Sequence, residues 1–159
     1  MKFVCSVTIQ APRDRVVALW QDPDHLDEWQ DGFLGLEPVT GQPGSAGSKT
    51  KLMYKTGKRK ITLLETIVTN DLPDWFIGTY ETEAMTNTMI NHFTAVDEHH
   101  TRWDAEIEYT RIGALIPRIL AVLVPGMFRK QTQKWLDQFK VFAEDRSSPF
   151  RPRSTPSEM

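Results

Sequence analysis

The chain has 159 residues, 40% hydrophobic and 25% charged, with a formal net charge of −2, the balance of one soluble globular domain, since about 100 to 200 residues can bury a self-sufficient core. So small a charge excludes a global pull toward nucleic acid or an acidic membrane. One cysteine, Cys5, excludes an intramolecular disulfide and a cysteine-rich metal site, and a lone thiol points to a reducing cytoplasm.

The opening residues Met1-Lys2-Phe3-Val4-Cys5-Ser6 lack the apolar stretch of about 7 to 15 residues that a signal peptide needs. From Lys2 to Gln10, Phe3, Cys5, Val7 and Ile9 alternate with Val4, Ser6, Thr8 and Gln10, the period of a half-buried strand. Pro12 opens a short helix with Val16, Val17 and Trp20 on one side. Asp22-Pro23-Asp24 stops it and starts another, Asp22 as cap and Pro23 at the first helical position, ending near Trp29-Gln30-Asp31-Gly32. Turn signals at Gly41-Gln42-Pro43-Gly44, Thr56-Gly57, Asn70-Asp71-Leu72-Pro73 and Asp97-Glu98-His99-His100 then predict antiparallel strands at about 33–39, 48–55, 59–69, 75–83, 87–96 and 101–110.

The apolar run from Ile112 to Phe128 is broken by Pro117, Arg118, Pro125 and Gly126 and is too short to span a bilayer, which takes roughly 20 apolar residues. A helix is expected from about Gly126 to Glu144, with Phe128, Thr132, Trp135, Leu136, Phe139, Phe142 and Ala143 in one arc. Residues 145–159 hold three prolines, four serines and almost nothing to bury, and read as a disordered tail after a single 1–144 domain. The expected class is α+β: a curved seven-stranded antiparallel sheet around one long C-terminal helix, with two short helices between the first two strands. A strongly curved sheet stands off the helix it grips, so a cavity is expected between them.

Ile9-Gln10-Ala11-Pro12-Arg13-Asp14-Arg15-Val16, followed by Trp20-Gln21-Asp22-Pro23 and Glu28-Trp29, resembles the opening of the SRPBCC superfamily, which includes START-like, polyketide cyclase/dehydrase-like and birch-pollen-allergen-like proteins. The glycine turn Gly41 to Ser48, the hairpin at Asp71-Leu72-Pro73 and Thr101-Arg102-Trp103 extend the resemblance over about 1–144. It implies the helix-grip fold and the binding of hydrophobic small molecules.

Several alternatives are excluded by spacing. Gly41 to Thr50 is no phosphate loop, because Ser48 stands where lysine is needed and a strand follows. Lys49, Lys51, Lys55, Lys58, Arg59 and Lys60 crowd one hairpin with only Tyr54 near, a solvated edge rather than a nucleic-acid face. His25, His92, His99 and His100 show no metal spacing, so neither metal nor cofactor is expected. Asp104, Glu106 and Glu108 alternate with Trp103, Ala105, Ile107 and Tyr109 and belong to the solvent face.

Glu65 differs, because Ile61, Leu63 and Ile67 share its face. An inward register would desolvate the carboxyl and make it a polar anchor or general acid/base; otherwise it pairs with a basic group or reaches the cavity mouth. Asn87, Met89, Asn91 and Phe93 share a face of the next-to-last strand, and buried amides there need partners. Trp75 and Phe76 lie on opposite faces, and alternation does not decide which enters. The expected ligand-binding set is Leu63, Glu65, Met89, Asn91, Phe93, Trp103, Tyr109, Trp135 and Phe139, with Glu65 the catalytic candidate. Residues 115–124 could serve as a lid, a homodimer contact or a transient membrane-touching patch. Without a legible nucleophile–base pair, binding or transport is favoured over a cyclase/dehydratase, and the resemblance implies a lipid-, quinone- or polyketide-like ligand.

Overall fold

The computed structural model describes residues 1–113 and 118–148, the side chains of 118–124 excepted. Strand β1 (Lys2–Ile9) leads into α1 (Arg13–Gln21), a single 3₁₀ turn (Pro23–His25) and the one-turn α2 (Leu26–Trp29). Six strands follow: β2 (Phe33–Thr40), β3 (Lys49–Thr56), β4 (Arg59–Asp71), β5 (Trp75–Glu81), β6 (Met85–Asp97) and β7 (His100–Ile112). The long α3 (Arg118–Ser147) comes last. All seven strands form one antiparallel sheet in the order β1-β7-β6-β5-β4-β3-β2.

Local chemistry sets these boundaries. The Asp22 carboxylate accepts from the Asp24 amide at 3.0 Å, capping the turn that Pro23 begins. β3 turns into β4 through Gly57-Lys58 alone, and Gly57 takes the positive φ (61°) that such a tight hairpin requires. β2 to β7 are joined successively, whereas β1 pairs with β7 along its whole length, from Lys2↔Glu108 to Ile9↔Thr101. The segment bearing α1 and α2 must therefore cross from one sheet edge to the other, and it closes one end of the grip.

The helix departs from expectation at both ends. It begins at Arg118 rather than near Gly126, and Pro125 lies inside it. Proline lacks the N–H that would bond to the carbonyl four residues before it and crowds that carbonyl, yet the backbone is helical on both sides of Pro125. At the other end α3 continues past Glu144 to Ser147, so the expected tail starts too early. Arg146 anchors this last turn: its guanidinium pairs with Glu28 and lies 5.3 Å over the Phe142 ring, and its carbonyl accepts from Arg15 at 3.1 Å. Residues 149–159 lie outside the described residues. So do residues 115–117 and the side chains through Val124 of the expected lid or contact segment; its backbone from Arg118 is helical.

The core is off-centre. Its continuous buried cluster comes from β1, α1, α2, β6, β7, α3 and the short β1–α1 link, including Ile9, Val16, Trp29, Phe93, Trp103, Leu136 and Phe139, with no side chain from β2 to β5. α3 leans on β1, so the concave face of β2 to β5 stands away from the helix.

Candidate functional site

The space left by this lean is a cavity of about 910 Å³ between the sheet and α3. Leu36, Leu52, Leu63, Ile67, Phe76, Met85, Met89 and Ile107 supply its apolar sheet wall; Trp20, Leu26, Trp29, Phe128 and Trp135 close it from the helices. Leu36, Ile61 and Met127 line it while remaining substantially exposed, which places them at the mouth.

Antiparallel register brings the polar groups of this wall into one line. Thr50 faces Glu65, Glu65 faces Tyr80, Tyr80 faces Asn87 and Asn87 faces Tyr109, so one residue from each of β3 to β7 forms a row across the concave face. All five line the cavity. The row is flanked by Leu52, Leu63 and Met85 on one side and by Ile67, Met89 and Ile107 on the other.

Within the row, the Tyr80 hydroxyl donates to the Glu65 carboxyl. Burial pushes the Glu65 pKa above the usual carboxylate range, and the Tyr80 hydrogen bond pulls it only partly back. Burial, then the adjacent Glu65 charge, drives the Tyr80 phenol well above its usual range. Burial also raises Tyr54, whose hydroxyl donates to Gln30 at 2.7 Å while its ring stacks on Trp135 at 5.5 Å. Tyr109 is pushed up to about 12 by burial, and its ring stacks on Phe128 at 4.7 Å. Among the described residues, neither the Asn87 amide nor the Tyr109 hydroxyl has a protein hydrogen-bond partner.

The expected ligand-binding set divides in two. Leu63, Glu65, Met89, Trp103, Tyr109 and Trp135 all reach the cavity. Asn91, Phe93 and Phe139 do not: each has 0% exposure and lies behind the wall. Asn91 accepts from the Trp103 indole at 3.0 Å and donates to the Phe76 carbonyl at 3.5 Å, so its amide is consumed within the core. Phe139 packs edge-on against Trp29 and Trp103 at 5.0 and 5.3 Å. Phe76 is the inward member of its pair, whereas Trp75 stacks on the outer face over His92 at 4.0 Å.

Thr50, Tyr54 and Tyr80 lie on the cavity wall but outside the expected set. The parity of β5 is the missing signal for Tyr80: once Phe76 points inward, Gly78 and Tyr80 follow on the same face. Among the described residues no group of three or more His, Cys, Asp or Glu is placed to hold a metal ion. No helix among them is long and apolar enough to cross a membrane.

Comparison with known proteins agrees with this geometry. A family model for polyketide cyclase / dehydrase and lipid transport matches residues 1–144. No curated protein matches the chain in sequence. Among solved structures, the Zhui aromatase/cyclase from Streptomyces sp. R1128 superposes with a TM-score of 0.79 at 12% identity, over 94% of this chain and 96% of that one. TTHA0849 from Thermus thermophilus gives 0.76 at 18% identity over 93% and 100%. The major latex-like protein 151 from Panax ginseng gives 0.70 at 16% over 90% and 97%. At these identities the likeness to each structure is one of fold.

Proposed function

The chain belongs to the polyketide cyclase / dehydrase and lipid transport family, and from that premise we propose that it binds and carries a hydrophobic small molecule in the cavity between sheet and α3. The observation that supports this most directly is the cavity itself. At about 910 Å³ it lies near the upper end of the roughly 300–1,000 Å³ range of ligand sites, room for a polycyclic or long-chain molecule. Its wall is mostly apolar, and the fold has a complete core elsewhere, so the space is not needed for packing. A single buried thiol, Cys5, suits a reducing compartment such as the cytoplasm.

Native mass spectrometry of the purified protein, compared with Leu63→Trp, tests the reading. The indole should fill the wall beside Glu65, so a hydrophobic ligand retained by the wild type should be absent from the variant at equal thermal stability. Equal retention by both would place the ligand elsewhere and remove the reading.

A second reading, a cyclase or dehydratase, draws support from one specific feature: Glu65 is biased toward its protonated form and faces the cavity beside Tyr80. A neutral carboxyl can donate a proton to a substrate oxygen as it leaves or enolises. If turnover occurs, Glu65→Gln should abolish it while sparing binding, because the amide keeps the shape and loses the acid.

A further inference from the structure

We infer that the row formed by Glu65, Tyr80, Asn87 and Tyr109 selects an uncharged ligand whose hydroxyl or ketone oxygen lies in the middle of its hydrocarbon skeleton, and discriminates against chains ending in a carboxylate. This inference rests on the binding reading and names the class of ligand.

Position is the first argument. The row runs perpendicular to the strands, so its members follow at about 4.8 Å intervals, and it crosses the cavity rather than rimming it. Apolar side chains lie on both sides: Leu63 and Met85 toward one end of the strands, Met89 and Ile107 toward the other. A ligand that matches this wall must present hydrocarbon, then oxygen, then hydrocarbon.

Unused hydrogen-bonding capacity is the second. Tyr80 spends its hydroxyl proton on Glu65. That leaves the Glu65 carboxyl, the Asn87 amide and the Tyr109 hydroxyl facing the same space. A straight-chain lipid with its head at the mouth would lay methylenes across all three and strand them without partners, a desolvation cost that no new hydrogen bond offsets. An oxygen at mid-skeleton pairs with them instead.

Charge is the third. Among the described residues, the cationic side chains on the cavity wall are Lys55 and Lys134. Lys55 is exposed, and Lys134 is paired with Asp31 at the surface. A carboxylate drawn into the row would meet a carboxyl and two phenols with no counter-ion.

Displacement of the neutral dye Nile red by tridecane, 2-tridecanone, 7-tridecanone and tridecanoate tests this, because the four share a chain length and differ in oxygen position and charge. The expected result is that 7-tridecanone binds about tenfold tighter than the other three, the scale of one or two well-made neutral hydrogen bonds. In Glu65→Leu/Asn87→Leu, which removes two of the row's polar groups, the preference for 7-tridecanone over tridecane should shrink, whereas Glu65→Gln should keep it through its amide donor. Equal affinities across the series, tightest binding of tridecanoate, or a preference undiminished in the double leucine variant would overturn the inference and leave the binding reading intact. Displacement by none of the four would overturn the binding reading, and this inference with it.

Discussion

The Tyr80 ring lies over Gly78: a Cβ built on the glycine would stand 2.9 Å from the tyrosine hydroxyl oxygen and 3.1 Å from Cζ and Cε2. Two residues apart on one strand, they share the concave face, and the missing side chain is what lets the phenol lie along β5 instead of standing into the cavity. Gly78→Ala should therefore displace the ring from Glu65 and destabilise the protein by about 1–3 kcal/mol, the usual range for overpacking. Placing Tyr80→Leu in the same chain should recover most of that loss. A denaturant-unfolding double-mutant cycle with no coupling between the two positions would refute the contact.

Glu65 makes stability depend on pH in the direction opposite to an exposed, paired carboxylate. Its folded pKa is raised above the ordinary 4.5. Below that value both folded and unfolded chains hold the proton, and its full contribution to stability is present. As pH rises from 4.5 through the raised folded pKa, the unfolded state releases the proton more readily, and stability falls. Neither Tyr54 nor Tyr80, both shifted upward, titrates in this window. Glu65→Gln should thus be more stable than wild type at neutral pH, with the difference closing toward pH about 4. Chemical denaturation across that range checks it; a difference independent of pH would mean that the carboxyl is not desolvated.

Asn91 holds the Trp103 indole in the core, and its replacement should be felt as an unpaired donor. Asn91→Ala leaves the indole N–H buried without a partner and should cost about 1 to 3 kcal/mol, plus a cavity contribution. Ligand preference should not move, because Asn91 does not reach the cavity. A change in preference without loss of stability would reverse that assignment.

Phe139, at 0% exposure between Trp29 and Trp103, is where α3 grips the sheet. Phe139→Ala should lower unfolding free energy by about 3–5 kcal/mol. The alanine should also join the new void to the existing cavity and relax selectivity toward larger ligands, read by the size of hydrophobic probe retained in native mass spectrometry.

The sequence by itself determined the order of elements and the faces they bury. Alternation in β1 and β7, turn residues every few positions and the arc on α3 each depend on short-range periodicity, which a single chain displays. The same periodicity put Leu63, Glu65 and Ile67 on one face, and the cavity holds all three. Tertiary structure decided the rest. Whether Trp75 or Phe76 enters, and so whether Tyr80 reaches Glu65, depends on strand pairing, because alternation is symmetric between two faces until a neighbour is specified. Asn91 and Met89 share a face and look equivalent in sequence; the Trp103 indole and the Phe76 carbonyl take up the first within the core, and the second is left on the cavity wall. The polar row is a property of register between strands far apart in the chain. A one-residue slip in any pairing would break it, since side chains two strands apart meet only through the hydrogen-bond ladder between them.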